Sequence, residues 1–389
     1  MRRRTFLTST AGSAIAGVAG CIQDTSDGNG NGNGNGDGGN GDDGNATNGN
    51  GDANDSNTSG SGGDNTLHVA TYTSFVDAPS DSPGVWIKEE FEQRYDATLE
   101  WHTPQGELTH YVERYNEGAE FEPELYYGVS PHDLVRVDEN TDGNLFVETD
   151  RSKLENAEDI GEQHEFDPQG RVIPTYRALC AIVYDGRNVP TPETFEDLLD
   201  PAYEGQIGIP TPQDTTGLLF LLWTLNEFGE GGEYDYLDYW SDLLDNGARV
   251  LDSWSDVYTQ FENDELPVIV SYANDRVYAK RFGNDLEKHR VALLNGQSYA
   301  NYSGVVRFSS GTNDDLAHKF MDFVLDPEVQ AVVAERNVTG PTNEKTELPE
   351  VFEEYAREPE EPVFYDYEEL SGNLSGWLDD WSRMAAGGR

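Results

Sequence analysis

The chain has 389 residues, 74 acidic side chains against 25 basic ones, and a formal net charge of −49. That length leaves room for more than one compact unit with a full core. The acidic excess excludes nucleic acid as a partner, because two polyanions repel and no counterions are released when they meet. The acid is spread along the whole chain and Arg outnumbers Lys. This fits adaptation to high salt, where screening shortens charge repulsion to about 3 Å at 1 M; the other reading is an acidic surface that handles metals or other cations. The cysteines, Cys21 and Cys180, and the seven histidines show no metal-ligand spacing, and there is no His-Glu-x-x-His run. Neither a metal site nor a cofactor is expected.

Residues 1–21 read as an export signal, too short and too weakly apolar for a permanent membrane span. Arg2-Arg3-Arg4 followed by Phe6-Leu7 is similar to a twin-arginine signal. Val18-Ala19-Gly20-Cys21 is similar to a lipobox, in which Cys21 becomes the lipidated first residue and a membrane anchor. Residues 22–65 are nearly all Gly, Asn and Asp, with little to bury, and are expected to form a flexible tether.

Folded structure is expected from Leu67. LHVATYTSF (67–75) reads as a strand, Pro83-Gly84 opens a helix with Ile87, Phe91 and Tyr95 on one stripe, and Ala97–Trp101 is the next strand. Strand, helix and strand at this spacing make a parallel βαβ unit. A helix over Leu108–Tyr115 leads to a strand ending at Ser130. A second α/β block starts with the buried strand Arg177–Asp185, followed by a short helix over Thr191–Pro201 and the strand QIGIP (206–210). An apolar helix then starts at Thr216-Gly217, and a further helix leads to the strand at Arg249–Leu251. A helix from Ser255 and the strand Pro267–Tyr272 come next. The chain returns through VALLNG (291–296) and SGVVRFSS (303–310) into one long helix from Asn313 to Glu335, and ends in a helix around Trp377–Met384. His164-Glu165 reads as a solvated loop, and Cys180 as a buried structural thiol.

Two α/β blocks joined by more than one strand imply a cleft between lobes, where strand ends and helix N-termini converge on a ligand. TFEDLLDPAYEGQIGIP (194–210) and DLAHKFMDFVLDPEVQ (315–330) resemble segments of extracellular solute-binding proteins. Further matches resemble the thiamine-binding component of ABC importers: VATYTSF with Tyr72, Gly106, RALCAIVYD, Thr215-Thr216-Gly217, Ser253–Tyr272 with Trp254, Tyr299, and WLDDWSRM (377–384). The resemblance implies a two-lobed periplasmic-binding-protein-like (type II) α/β fold with hinge strands and an interlobe cleft. It places lobe 1 at 66–172 and 291–389 and lobe 2 at 173–290. A monomeric, non-enzymatic carrier is expected, held on the outer face of the membrane by the Cys21 lipid anchor, and the resemblance implies an ABC permease with ATPase subunits as its partner. The ligand-contacting positions it implies are Gln105, Gly106, Thr215, Thr216, Trp254, and Tyr272, Ala273, Asn274, Asp275 and Arg276. Three positions depart from the family: Ala78–Ser82 lacks an aromatic, Val338 stands where a late Trp falls, and Gln105 replaces an acid.

The chemistry suits a cationic aromatic ligand. Tyr72, Trp254, Tyr272 and Tyr299 offer ring faces, each contributing roughly 0.5–2 kcal/mol toward a cation. Asp214 repels a phosphate and favours the unphosphorylated vitamin over thiamine phosphates, whereas Thr215-Thr216-Gly217 either caps a helix or presents amides to a phosphate. Asp275 and Arg276 are either gate residues or a surface ion pair. Rival readings are a ferric-iron site using Tyr272, Tyr299 and Tyr302, a different organic cation or a phosphonate, and a secreted hydrolase. The hydrolase reading has no catalytic motif to support it.

Overall fold

The computed structural model describes residues 65–77, 82–360 and 362–387. The export signal, the Cys21 anchor and nearly all of the expected tether lie outside the described residues. Among the described residues no helix is long and apolar enough to cross a membrane.

The first half begins with β1 (Thr66–Thr71), β2 (Thr98–His102) and β3 (Leu125–Val129). The helix Pro83–Arg94 connects β1 to β2 and the helix Glu107–Asn116 connects β2 to β3. β1 pairs in parallel with both β2 and β3, so the expected βαβ unit is present. A helix absent from the sequence reading, Pro131–Asn140, follows β3; Ser130 and Asp133 form its capping box. The short β4 (Phe146–Val147) precedes the long β5 (Ile173–Tyr184). The second half supplies β6 (Ile207–Pro210), β7 (Arg249–Leu251), β8 (Val268–Tyr272) and β9 (Arg290–Ala292). The chain returns through β10 (Tyr299–Phe308) and the two-residue β11 (Gly340–Pro341).

All eleven strands join in the order β2-β1-β3-β10-β5-β8-β6-β7, with β9 and β11 on β5 and β4 on β10. β5 ties the halves together: its first part pairs with β10 and its last part with β8 and β9. The changeover falls at Cys180, which lies opposite both Tyr299 and Tyr272. Its thiol is buried and its pKa is pushed up by that burial, as a structural thiol requires.

The cores follow this division. In the first half, Phe91, Tyr127, Phe320 and Phe323 pack on one face of the sheet, and Tyr111, Tyr126 and Phe308 on the other. In the second half the large core gathers Phe195, Phe220, Trp223 and Trp240 around the helix Thr215–Phe228.

Four expectations differ from the structure. The long helix is two, Asp314–Leu325 and Pro327–Asn337, because Pro327 has no N–H to continue the ladder and drives Asp326 into extended backbone. The short helix at Thr191–Pro201 is only a 3₁₀ turn over Glu196–Leu199. His164 is buried rather than solvated, its ring 5.4 Å from that of Tyr302, and burial pushes its pKa down to about 4. Finally, the terminal helix Leu374–Ala385 joins the second-half core, with Trp381 5.4 Å from Trp240, although the sequence reading assigns 291–389 to lobe 1.

Candidate functional site

The site is built at the carboxyl ends of the parallel strands of both halves. Tyr72 follows β1, and its ring lies over Gly128 of β3. A Cβ at Gly128 would come within 2.7 Å of that ring, and φ of +103° makes the position unsuitable for a larger residue as well. The Tyr72 hydroxyl is 3.1 Å from the Tyr176 hydroxyl of β5 and accepts a bond from Asn337 Nδ2 at 3.1 Å. Burial pushes the phenols of Tyr72 and Tyr176 well above their ordinary values, and negative charge at Tyr272 would raise both further.

In the second half, Asp214 organises the wall. It is the N-cap of Thr215–Phe228, where its Oδ1 accepts the Thr216 amide at 2.8 Å. Its Oδ2 accepts the Trp254 amide at 3.1 Å. Gly217 lets this helix start against β6, since a Cβ there would meet the Pro210 and Thr211 carbonyl oxygens at 2.2 Å. The Thr216 hydroxyl bonds the Tyr272 hydroxyl at 2.8 Å, and Thr215 is exposed beside it. Trp254 is held from both ends: its indole N–H donates to the Ser271 hydroxyl at 2.9 Å, and its ring lies 4.8 Å from Tyr258 and 6.1 Å from Tyr272.

Behind this wall, Ala273 is buried and Asp275 accepts from the Tyr258 hydroxyl at 2.6 Å and bonds His289 Nδ1 at 2.8 Å. Arg276 donates to the Leu286 carbonyl at 3.2 Å. The expected choice between gate and surface ion pair resolves differently: Asp275 is a buried brace under Tyr258, and Arg276 turns to a neighbouring loop. Asn274 is buried, and its amide reaches the Val338 carbonyl at 3.4 Å. The Asn337-Val338 helix end thus touches Tyr72 on one side and Asn274 on the other.

Gln105 and Gly106 are exposed, and Gly106 caps the helix Glu107–Asn116 at φ 88°. The sequence reading passed over Glu107, the next residue. Glu107 accepts the Thr73 amide at 3.3 Å. Loss of water around its carboxyl raises its pKa above the ordinary value; the Thr73 amide opposes that rise, and the charges of Asp133 and Asp214 add to it. Where the resembling family places an acid before Gly106, this chain has one directly after it.

Tyr299 lies across Cys180 from Tyr272 but is packed inward. It is 3% exposed within the second-half core, and its hydroxyl accepts the Tyr365 amide at 3.0 Å. Tyr302 belongs to the core on the opposite face. Tyr272, Tyr299 and Tyr302 therefore do not converge as the iron reading required. Besides Glu107, the structure adds Tyr176, Tyr258 and Asn337, which the sequence reading did not single out although Tyr258 lies one helical turn after Trp254 and Asn337 directly precedes Val338.

The profile of a family described as bacterial extracellular solute-binding protein matches residues 137–370. A thiamine-binding periplasmic protein of Brucella suis is 24% identical over 325 residues, covering 82% of this chain and 91% of its own length. That of Escherichia coli is 23% identical over 216 residues, covering 55% of this chain and 64% of its own. Among solved structures, a periplasmic thiamin binding protein superposes with a TM-score of 0.70 at 21% identity, covering 82% of this chain and 96% of that one. A ferric binding protein from Campylobacter jejuni superposes with 0.66 at 16% identity, covering 82% and 99%. These likenesses establish the fold as that of two-lobed periplasmic binding proteins. With its profile match across more than half its length, the chain belongs to the bacterial extracellular solute-binding protein family, whose members capture solutes for ABC importers.

Proposed function

We propose that this protein captures thiamine, in its unphosphorylated form, between its two halves and delivers it to an ABC permease driven by ATPase subunits. The observation that carries the reading is Asp214. Its carboxylate occupies the helix N-terminus where a phosphate would otherwise bind. A carboxylate at that position favours a cation, and the neighbouring Trp254 and Tyr272 rings suit a flat thiazolium. Relatives named for thiamine binding support the choice. Ferric iron is disfavoured because Tyr272, Tyr299 and Tyr302 do not converge on one point. In this proposal the protein works as a monomer outside the cell, held to the membrane through Cys21.

Calorimetric titration of the purified protein with thiamine, thiamine phosphate and ferric iron, in concentrated salt, tests this. Thiamine should bind with micromolar or tighter affinity, and the phosphate ester more weakly. Trp254→Ala should weaken thiamine binding by about 1–3 kcal/mol. Unchanged affinity in that variant removes Trp254 from the site. A tyrosine–iron colour with no heat from thiamine overturns the ligand.

A further inference from the structure

We infer that His68, Glu100 and His102 form a second site, which binds a divalent transition metal of the zinc class at the β1–β2 edge of the sheet. The inference holds whatever solute the cleft takes.

The sheet register creates the cluster. His68 lies opposite Glu100, and Ala70 opposite His102. Alternate residues of a strand share a face. Leu67, Val69 and Leu99 are buried in the core on one face, so His68, Glu100 and His102 share the other. Their ligand atoms all lie within 4.8 Å of one another. His68 Nδ1 is 2.9 Å from His102 Nε2 and 3.7 Å from Glu100 Oε2.

Two nitrogens bound to one zinc at about 2.0–2.1 Å stand roughly 2.8–3.0 Å apart at a right angle and roughly 3.3–3.4 Å apart at the tetrahedral angle. The imidazoles therefore need to open by only a few tenths of an ångström. Two imidazoles and one carboxylate suit zinc, copper or nickel, whereas calcium and magnesium take oxygen donors. The backbone of His68 is fixed on both sides by Glu124, whose carboxylate accepts the His68 amide at 2.9 Å and whose own amide donates to the His68 carbonyl at 2.9 Å. Relative exposures of 21% for the His68 side chain and 56% for that of Glu100 leave the metal accessible and free to keep water in its remaining positions. A bound ion would cross-link the edge strand β2 to β1.

The test is uptake of zinc by the purified, chelator-stripped protein in about 2 M KCl, which screens diffuse binding to the acidic surface. One equivalent should bind and raise the melting temperature. His68→Gln with His102→Gln should weaken uptake at least ~10-fold with unchanged circular dichroism. Glu100→Gln, at an exposed position that folding does not need, should weaken it as well. Copper(II) in place of zinc should show electron-spin coupling to two imidazole nitrogens, lost in the double variant. Equal zinc affinity in all variants, or copper spectra with oxygen ligands alone, overturns the site.

Discussion

Glu107 and Val338 hold φ of 47° and 53°, in the left-handed region that costs a residue with a side chain about 1–2 kcal/mol. Both border the candidate site, one beside Gly106 and the other offering its carbonyl to Asn274. Strain at such positions persists only where the surroundings enforce it. Val338 also stands where the resembling family has a tryptophan, so the departure seen in sequence coincides with backbone strain in the fold. His132, in the first turn of the helix Pro131–Asn140 that follows β3, shows a different residue-scale cost. It is 3% exposed, and burial pushes its pKa down to about 4. Between that value and an unfolded value of about 6.5, the unfolded chain binds the extra proton, so stability falls as pH drops through this window. The loss approaches roughly 3 kcal/mol once the window is crossed. Acidifying from about pH 7.5 to about pH 4.5 should therefore lower the urea midpoint less in His132→Gln than in the parent. Equal losses in both would show that His132 is not responsible.

The helix Thr215–Phe228 shows how one element joins folding to binding. Asp214 caps it and, with its other oxygen, holds the Trp254 amide. Asp214→Ala should lower stability by about 1–2 kcal/mol through loss of the cap, and should weaken thiamine binding. Asp214→Asn keeps an oxygen for the cap and removes the charge. With one acceptor in place of the two oxygens that serve the Thr216 and Trp254 amides, it should lose some stability, though less than the Ala variant, and bind thiamine more weakly, as titration and melting together would show. Parental affinity in the Asn variant would mean that charge plays no part. The apolar run of this helix was plain in the sequence, because Leu, Phe and Trp on every side mark a buried helix. The break at Asp326-Pro327 was also written there, in a proline that ends the ladder, whereas the continuous apolar stripe on either side masked it.

At the scale of the whole molecule, β5 and β10 carry the chain between halves, and a shared strand of this kind is a natural axis for closure around a solute. The net charge of −49 acts at this scale too. Like charges over a compact body oppose folding until salt screens them. Raising KCl from about 0.2 to about 2 M should raise the melting temperature, by about 2–4 °C for each kcal/mol of repulsion relieved. A flat or falling curve would show that the acidic surface does not oppose folding.

Patterning within single segments determined most of the elements, because period-two and period-3.6 apolar spacing and capping residues are local properties. The same locality made Tyr72, Asp214, Trp254 and Tyr272 legible, since each stands at a strand end or a helix start. Tertiary structure alone decided the rest. Tyr299 alternates along β10 into a core rather than a cleft. The last helix returns to the second half because its tryptophans find Trp240 there. His68 meets His102 only because strand pairing brings together residues distant in sequence.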